Sequence, residues 1–127
     1  TIIYSITITL TVFNLNNKLY DFYILVYDSL GSTGRAYLNK LLRYLGDEAK
    51  DKNKPGFNAR EWNLVTCDKT ITPQQYNGYD CGVFISMFAD FISEDIPLLN
   101  FNQSDMPLFR EKICLHITSG ELSYSIR

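Results

Sequence analysis

The sequence predicts an α+β fold in which a small sheet packs with helices. Two segments near its start, residues 2–13 and 18–27, are rich in β-branched and aromatic residues, which favour strands. Three later segments, which begin near residues 33, 81 and 105, carry apolar residues at helical spacing. A length of 127 residues is typical of one domain built around one core. We therefore expect residues 1–127 to form a single domain.

The predicted sheet starts with a hairpin. From Ser5 to Val12, polar and apolar residues alternate strictly, which indicates a strand with one buried face. Turn-forming residues at 14–17 separate this strand from the second one, and Asp28–Ser32 forms the loop after the second strand. A third, short strand is predicted from Trp62 to Cys67.

The first predicted helix covers residues 33–50. Its leucines recur three and four residues apart, which gives the helix one apolar face, while charged residues occupy the other side. A polar loop with a Pro-Gly turn follows at residues 51–60. The predicted core stripe consists of Leu38, Leu41, Leu42 and Leu45. The predicted solvent face consists of Arg35, Lys40, Arg43 and Glu48.

Two more helices are predicted in the second half of the chain. One begins at Cys81 and extends to about Asp95. The last begins near Asp105 and has Pro107 in its first turn, where proline is favoured. The apolar face of the first of these contains Phe84, Met87, Phe88, Phe91 and Ile92. The apolar face of the second contains Leu108, Phe109, Ile113 and Ile117, and the tail after Gly120 is expected to fray.

Composition limits the classes of partner and cofactor. A net charge of −2 gives no electrostatic reason to expect nucleic acid or an anionic membrane as a partner, and no apolar run of about 18 residues predicts a membrane span. Three cysteines without CxxC spacing and a single histidine do not predict a zinc site, so we expect neither metal nor cofactor. Free thiols favour a reducing, intracellular compartment. Because the chain starts with Thr1 rather than Met, we expect a fragment or an excised domain.

The segment Pro73–Phe84 changes from a loop into a helix. Turn-forming residues precede Asp80, which is a favoured N-cap residue. Cys81 therefore falls on the first turn, where unpaired N–H groups and the helix dipole favour a thiolate over a thiol. The Cys81 N–H and the side-chain amide of Gln75 could point at one developing oxyanion. The alternative is an ordinary buried cysteine at a helix start, because free cysteine is among the most buried residue types.

Within this segment, Gln-Gln-x-Asn-Gly-x-Asp-Cys-Gly-Val-Phe resembles the active-site segment of the ubiquitin-like-protein-specific cysteine proteases. This ULP/SENP family processes and removes SUMO and related modifiers, often in the nucleus. The resemblance implies a papain-like (ULP/adenain-like) fold, with Cys81 as the nucleophile and Gln75 as the oxyanion-hole side chain. It covers residues 9–118 and is strongest from 62 to 110. Only the C-terminal part of such a domain is matched, so we expect a single partial catalytic domain that lacks the N-terminal part.

The resemblance also implies a catalytic acid. Tyr-Asp-Ser-Leu-Gly at residues 27–31 is similar to the strand-end segment that carries the acid in the family, which assigns this role to Asp28. Asp21 is the rival because it also follows a tyrosine, but no Ser-Leu-Gly follows it. Without the motif, Asp28 would be interpreted as a solvated turn residue.

The catalytic histidine that the family pattern requires is missing from its expected place. In the family, a His-Trp pair precedes a strand like Thr9–Phe13, whereas here Thr7 and Ile8 stand before that strand. Neither threonine nor isoleucine can act as a general base near neutral pH. The only histidine, His116, is predicted at the flank of the last helix and is interpreted as a surface or core-edge residue.

Three functional interpretations follow from these residues. The first is a cysteine-type peptidase (a hydrolase, or thiol protease) that cleaves after the C-terminal glycine of SUMO or a related modifier, with an incomplete or altered N-terminal sequence. The second is a catalytically inactive member that still binds a modifier. The third is an α/β interaction module with coincidental motif residues. We rank them in this order and predict that the chain as written is nearly inactive.

Overall fold

The computed structural model describes residues 6–13, 21–94 and 99–121, and these contain three strands and three α-helices. The elements are β1 (Ile6–Phe13), β2 (Asp21–Asp28), α1 (Arg35–Asp51), β3 (Trp62–Thr66), α2 (Cys81–Ser93) and α3 (Met106–Ser119). Short 3-10 turns at Ala59–Glu61 and Gln103–Asp105 precede β3 and α3. The predicted strands and helices are therefore present, whereas the predicted hairpin turn at 14–17 lies outside the described residues.

The chain divides into two compact units. We call the first the sheet unit, which comprises Ile8–Val26 and Thr33–Cys67. We call the second the cysteine unit, which comprises Thr1–Thr7, Tyr27–Ser32 and Asp68–Arg127. The two units are described separately below.

In the sheet unit, the strand order is β1-β2-β3, and β2 runs parallel to β3. The register pairs Phe22 with Trp62 and continues to Val26 with Thr66. Parallel neighbours cannot be joined by a tight turn, so a crossover is required, and α1 lies in the segment between them. Stacking of the Phe22 and Trp62 rings, with centroids 5.0 Å apart, holds the start of this register.

Helix α1 begins after Gly34, whose backbone is in the left-handed region with φ +58°. A Cβ atom at this position would run into the Val26 side chain, so both the backbone angle and the packing favour glycine here. Of the four leucines predicted to form the core stripe, only Leu38 is buried, and the other three are half-buried. The predicted solvent face is correct at Arg35, Lys40 and Arg43, which are exposed.

The core of the cysteine unit is an aromatic cluster built on α2 and α3. Phe101 lies at its centre, because its ring is within 6.0 Å, centroid to centroid, of four other phenylalanine rings. The buried members of the cluster are Val83, Phe84, Met87, Phe88, Phe91, Phe101, Met106 and Phe109. The apolar face predicted for α2 is thus confirmed, with Ile92 only partly buried at its edge.

The apolar face predicted for α3 is partly wrong. Phe109 is buried and Ile113 packs against the cluster, but Leu108 and Ile117 are 53% and 74% exposed. Leu108 directly precedes Phe109, and one step along an α-helix turns the side chain about 100° away from that of Phe109. Ile117 lies in the last turn, just before Gly120 ends the helix with φ +69°. Helical spacing alone did not reveal that the core ends one turn earlier.

Candidate active site

Asp28 is the last residue of β2, and its side chain is 2% exposed. Its Oδ1 atom accepts a hydrogen bond from the Leu30 N–H at 2.8 Å, and its Oδ2 atom accepts one from the Ser32 N–H at 3.1 Å. Asp28 is therefore a buried turn residue rather than a solvated one. Because each carboxylate oxygen can accept two hydrogen bonds, the side chain retains capacity to orient a further donor.

The end of β2 is fastened to the loop that precedes α2. The Gln75 N–H donates to the Ser29 carbonyl at 2.8 Å, and the Ser29 hydroxyl donates to Gln75 Oε1 at 2.6 Å. One residue earlier on each side, Gln74 Nε2 donates to the Asp28 carbonyl at 3.1 Å. These three bonds fix the backbone of Asp28 relative to that of Gln75, although 46 residues separate the partners.

The side-chain amide of Gln75 is buried, and both of its ends have a partner. Its oxygen faces Ser29, while its nitrogen donates to the Asn77 carbonyl at 2.6 Å. The Asn77 carbonyl can only accept, so it determines which end of the amide faces the loop before Cys81, and the Ser29 hydroxyl satisfies the other end. An amide nitrogen carries two N–H donors, so one donor remains after the bond to Asn77.

Asp80 occupies the N-cap position of α2, as predicted, but its side chain does not cap the helix. Its Oδ1 atom accepts from Arg110 Nη2 at 2.6 Å and from Arg110 Nε at 3.0 Å. Its Oδ2 atom accepts from Gln103 Nε2 at 2.6 Å and from Asn77 Nδ2 at 2.7 Å. The predicted N-cap position is therefore correct, but donors from Asn77, Gln103 and Arg110, rather than the N–H groups of α2, take both oxygens.

The charge state of Asp80 follows from these contacts. Burial opposes ionisation and would raise the pKa of this carboxyl, but hydrogen bonds from Asn77, Arg110 and Gln103, with the Arg110 charge, outweigh burial and lower the pKa. Asp80 is therefore a carboxylate at neutral pH. Without such donors, burial of the charged carboxylate would reduce the free energy of unfolding.

Cys81 is the first residue of α2 and is half-buried. The first bonds of the helix run from the Val83 and Phe84 N–H groups to the Asp80 carbonyl, at 2.9 and 3.0 Å. The residues before Val83 supply N–H groups for which a helix has no internal acceptor. None of the three cysteines, Cys67, Cys81 and Cys114, forms a disulfide.

The structure gathers Asp28, Gln75 and Cys81 in the cysteine unit, whereas the rival Asp21 belongs to the sheet unit. His116 is half-buried in the last turn of α3, six residues beyond Arg110, which corresponds to about 9 Å along the helix axis. Thr7 and Ile8 lie in β1, and their side chains are outside the described residues.

Sequence reasoning did not identify Arg110, Gln103 or Ser29 as residues of the site. Arg110 is on the exposed surface of α3, and Gln103 is in the 3-10 turn before that helix. The sequence did contain one signal for such a partner. Asp80 lies directly before Cys81 and an otherwise apolar helix, and a buried aspartate needs a partner. The identity of that partner, 30 residues later, depends on how α3 packs.

In residues 6–13, 21–94 and 99–121, no group of three or more potential metal ligands occurs. Over the same ranges, none of the helices combines the length and apolar character needed to cross a membrane. A cavity of about 560 Å³ lies in the sheet unit between residues 39–50 of α1 and residues 54–59, and none of Asp28, Gln75 and Cys81 lines it.

Comparisons with known proteins identify the family of the chain. A family model described as the Ulp1 protease family, C-terminal catalytic domain, matches residues 9–119. Sentrin-specific protease 2 of Mus musculus is 42% identical over 95 residues, which are 75% of this chain and 16% of that protein. Ubiquitin-like-specific protease ESD4 of Arabidopsis thaliana is 38% identical over 96 residues, which are 76% of this chain and 19% of that protein.

A third relative matches more of the chain. The sentrin-specific protease of Caenorhabditis elegans is 34% identical over 117 residues, which are 92% of this chain and 16% of that protein. The chain thus spans less than a fifth of the length of these three relatives. The family match confirms the predicted family and the predicted α+β, papain-like fold class. The chain belongs to the Ulp1 protease family of cysteine peptidases.

Proposed function

We propose that this chain forms part of a cysteine peptidase that cleaves after the C-terminal glycine of SUMO or a related ubiquitin-like modifier. The observation that carries the proposal is the set of three hydrogen bonds that joins Asp28–Ser29 to Gln74–Gln75, in the loop that leads to Cys81. It brings a buried carboxylate and an oriented amide into the same unit as the thiol. The names of the relatives, sentrin-specific and ubiquitin-like-specific proteases, support this class of substrate.

In the proposed reaction, the Cys81 thiolate attacks the carbonyl carbon of the modifier's C-terminal glycine. Gln75 and N–H groups at the start of α2 hold the oxyanion of the tetrahedral intermediate. When the C–N bond breaks, the leaving amine takes a proton and a thioester remains on Cys81. Water then hydrolyses the thioester, which releases the modifier carboxylate and restores the thiol.

The proton transfers in this scheme need a general base, and Asp28 is proposed to orient its imidazole. The family pattern puts that histidine where this chain has Thr7 and Ile8. Members of a catalytic triad act as a unit, so loss of one costs on the order of 10⁶-fold in turnover. We therefore expect the 127-residue chain to be nearly inactive on an isopeptide bond.

The second candidate is a catalytically inactive member that binds a modifier, and the threonine and isoleucine at the expected histidine site favour it. The family match argues against the third interpretation, a coincidental motif, because membership of the family explains why the motif residues are present. Both remaining candidates have a modifier or its conjugates as the partner. An intracellular location, in the nucleus or the cytoplasm, is part of the proposal.

The test is reaction of the purified chain with SUMO that carries a C-terminal electrophile, beside the Cys81→Ala variant. A covalent adduct that requires Cys81 is the expected result, because the electrophile needs the thiol and the modifier groove but no protonation of a leaving amine. The matched control is Cys114→Ala, which removes an exposed thiol outside the site and should leave the adduct unchanged.

Binding of a panel of unreactive modifiers to the Cys81→Ala variant then separates the two candidates from a scaffold without this function. Binding without any adduct from the wild-type chain would favour the inactive binder. A folded chain that neither reacts with nor binds any ubiquitin-like modifier would contradict the proposal.

A further inference from the structure

The carboxylate of Asp80 is placed where it should interact with the start of α2, yet it does not. An aspartate at an N-cap normally accepts a hydrogen bond from the second or third N–H of its helix. Here the side chain makes no such bond, and four donors from three residues take its two oxygens instead. The side chain is 4% exposed, so this arrangement is enclosed rather than a chance surface contact.

A capping carboxylate would be harmful next to a nucleophilic thiol. It would accept from an N–H group of the first turn, the part of a helix where an anion such as a thiolate or an oxyanion is stabilised. It would also put a negative charge beside Cys81, which disfavours the thiolate. A residue that keeps the carboxylate away from the helix start therefore acts on the reactivity of Cys81 without touching it.

Arg110 is the charged member of the group that holds Asp80. Its guanidinium contacts Oδ1 through Nε and Nη2, and Nη2 also donates to the Tyr79 carbonyl at 3.0 Å. These hydrogen bonds fix both the side chain of Asp80 and the backbone of Tyr79 just before it. The two other donors, Asn77 and Gln103, are uncharged, so Arg110 brings the positive charge to Asp80.

We propose that Arg110 is a positioning residue for the Cys81 thiol, because it holds the Asp80 carboxylate away from the first turn of α2. The proposal deepens the proposed function, on which its meaning for catalysis rests. When Arg110 is replaced, Oδ1 of Asp80 loses both of its donors and turns to the helix start, which suppresses the thiolate. The loss is thus caused by Asp80 and not by the absence of Arg110 itself.

The test is a double-mutant comparison that measures alkylation of Cys81 by iodoacetamide, followed on the Cys81 peptide by mass spectrometry so that Cys67 and Cys114 do not contribute. Arg110→Met should slow alkylation of Cys81 at pH 7 about tenfold, because a carboxylate against the first turn of α2 disfavours the reactive thiolate. Asp80→Asn in the Arg110→Met background should return the rate to within about threefold of Asp80→Asn alone, since the harmful charge is gone.

The matched control is the pair Arg43 and Asp47, an exposed i,i+4 pair on α1 with a separation of 4.0 Å. Arg43→Met and Asp47→Asn should leave alkylation of Cys81 unchanged. If Arg110→Met fails to fold by near-ultraviolet circular dichroism, Arg110→Gln replaces it, because glutamine removes the charge and keeps one donor.

Unchanged alkylation in a folded Arg110 variant would overturn the proposal. So would a double variant as slow as Arg110→Met, because the defect would then not come from the carboxylate. This readout needs no modifier. If the wild-type chain neither forms an adduct with the SUMO electrophile nor binds any modifier while the Arg110 and Asp80 variants behave as expected, the proposed function fails and the positioning role stands.

Discussion

Ser29 and Gln75 hold each other twice: the Gln75 N–H donates to the Ser29 carbonyl, and the Ser29 hydroxyl donates to the Gln75 side-chain oxygen. Ser29 is fully buried, so its hydroxyl has no access to water as a substitute partner. The pair therefore links the strand end that carries Asp28 to the loop that carries the proposed oxyanion donor.

Ser29→Ala should lower the free energy of unfolding by about 1–3 kcal/mol, because a buried acceptor on Gln75 loses its donor. It should also slow adduct formation with the SUMO electrophile, by less than the roughly 10²–10³-fold that loss of an oxyanion donor costs in Gln75→Ala. Urea denaturation and single-turnover kinetics measure the two effects. Ser93→Ala, which removes only an exposed hydroxyl bond to the Asp90 carbonyl, should change neither.

Restoring the family's missing pair by Thr7→His with Ile8→Trp should raise hydrolysis of a SUMO–fluorophore amide, toward the roughly 10⁶-fold that one triad member is worth. The added imidazole supplies the base and the proton for the leaving amine. Initial rates, with Cys81→Ser as the inactive control, measure the gain.

The Thr7→His, Ile8→Trp variant also tests which of the two candidate aspartates, Asp28 or Asp21, is the catalytic acid. Asp28→Asn should abolish the gain and Asp21→Asn should keep it, provided that both variants stay folded. The reverse result would assign the acid to Asp21, and no gain in a folded double variant would contradict the proposed place of the base.

Phe101→Ala should lower the free energy of unfolding by about 3–5 kcal/mol, because it leaves a cavity at the centre of the aromatic cluster. Urea denaturation measures the loss. Leu108→Ala is the matched control on an exposed apolar side chain and should cost far less. Equal losses in the two variants would contradict the assignment of Phe101 to the core.

Asp80 should make folding sensitive to acid. Its pKa is lower in the folded chain than in the unfolded chain, where it is about 3.9, so it stabilises the fold above that pH and its contribution is lost as pH falls through the folded value. The free energy of unfolding should therefore decrease below about pH 4. This decrease should be less steep in Asp80→Asn when urea midpoints are compared from pH 2 to 6. An identical slope in the two chains would show that Asp80 is not linked to folding.

Much of this architecture could be predicted from local patterns. The spacing of phenylalanines located α2, and the predicted start at Cys81 agrees with the structure. The predicted start of the last helix is one residue from that of α3, because Pro107 marks a first turn. These signals are encoded within one or two turns of chain and need no knowledge of tertiary packing.

The contacts of Asp80 could not be predicted in this way. Local propensity favours a bond from this carboxylate to the helix start, and the remote donors Gln103 and Arg110, with the nearby Asn77, outweighed that preference. The exposure of Ile117 has a similar cause, since a helix can extend beyond the core that it covers. In both cases the decisive neighbour is remote in sequence.

The bond between Arg110 and Asp80 also has a consequence for the order of events during synthesis. Cys81 and its loop leave the ribosome some 30 residues before Arg110, and the exit tunnel releases them in that order. For that interval the nascent chain carries the thiol, but the Asp80 carboxylate is free to cap its own helix. We therefore expect the Cys81 thiol of the nascent chain to react slowly until α3 docks. Its full reactivity would then appear only when folding is complete.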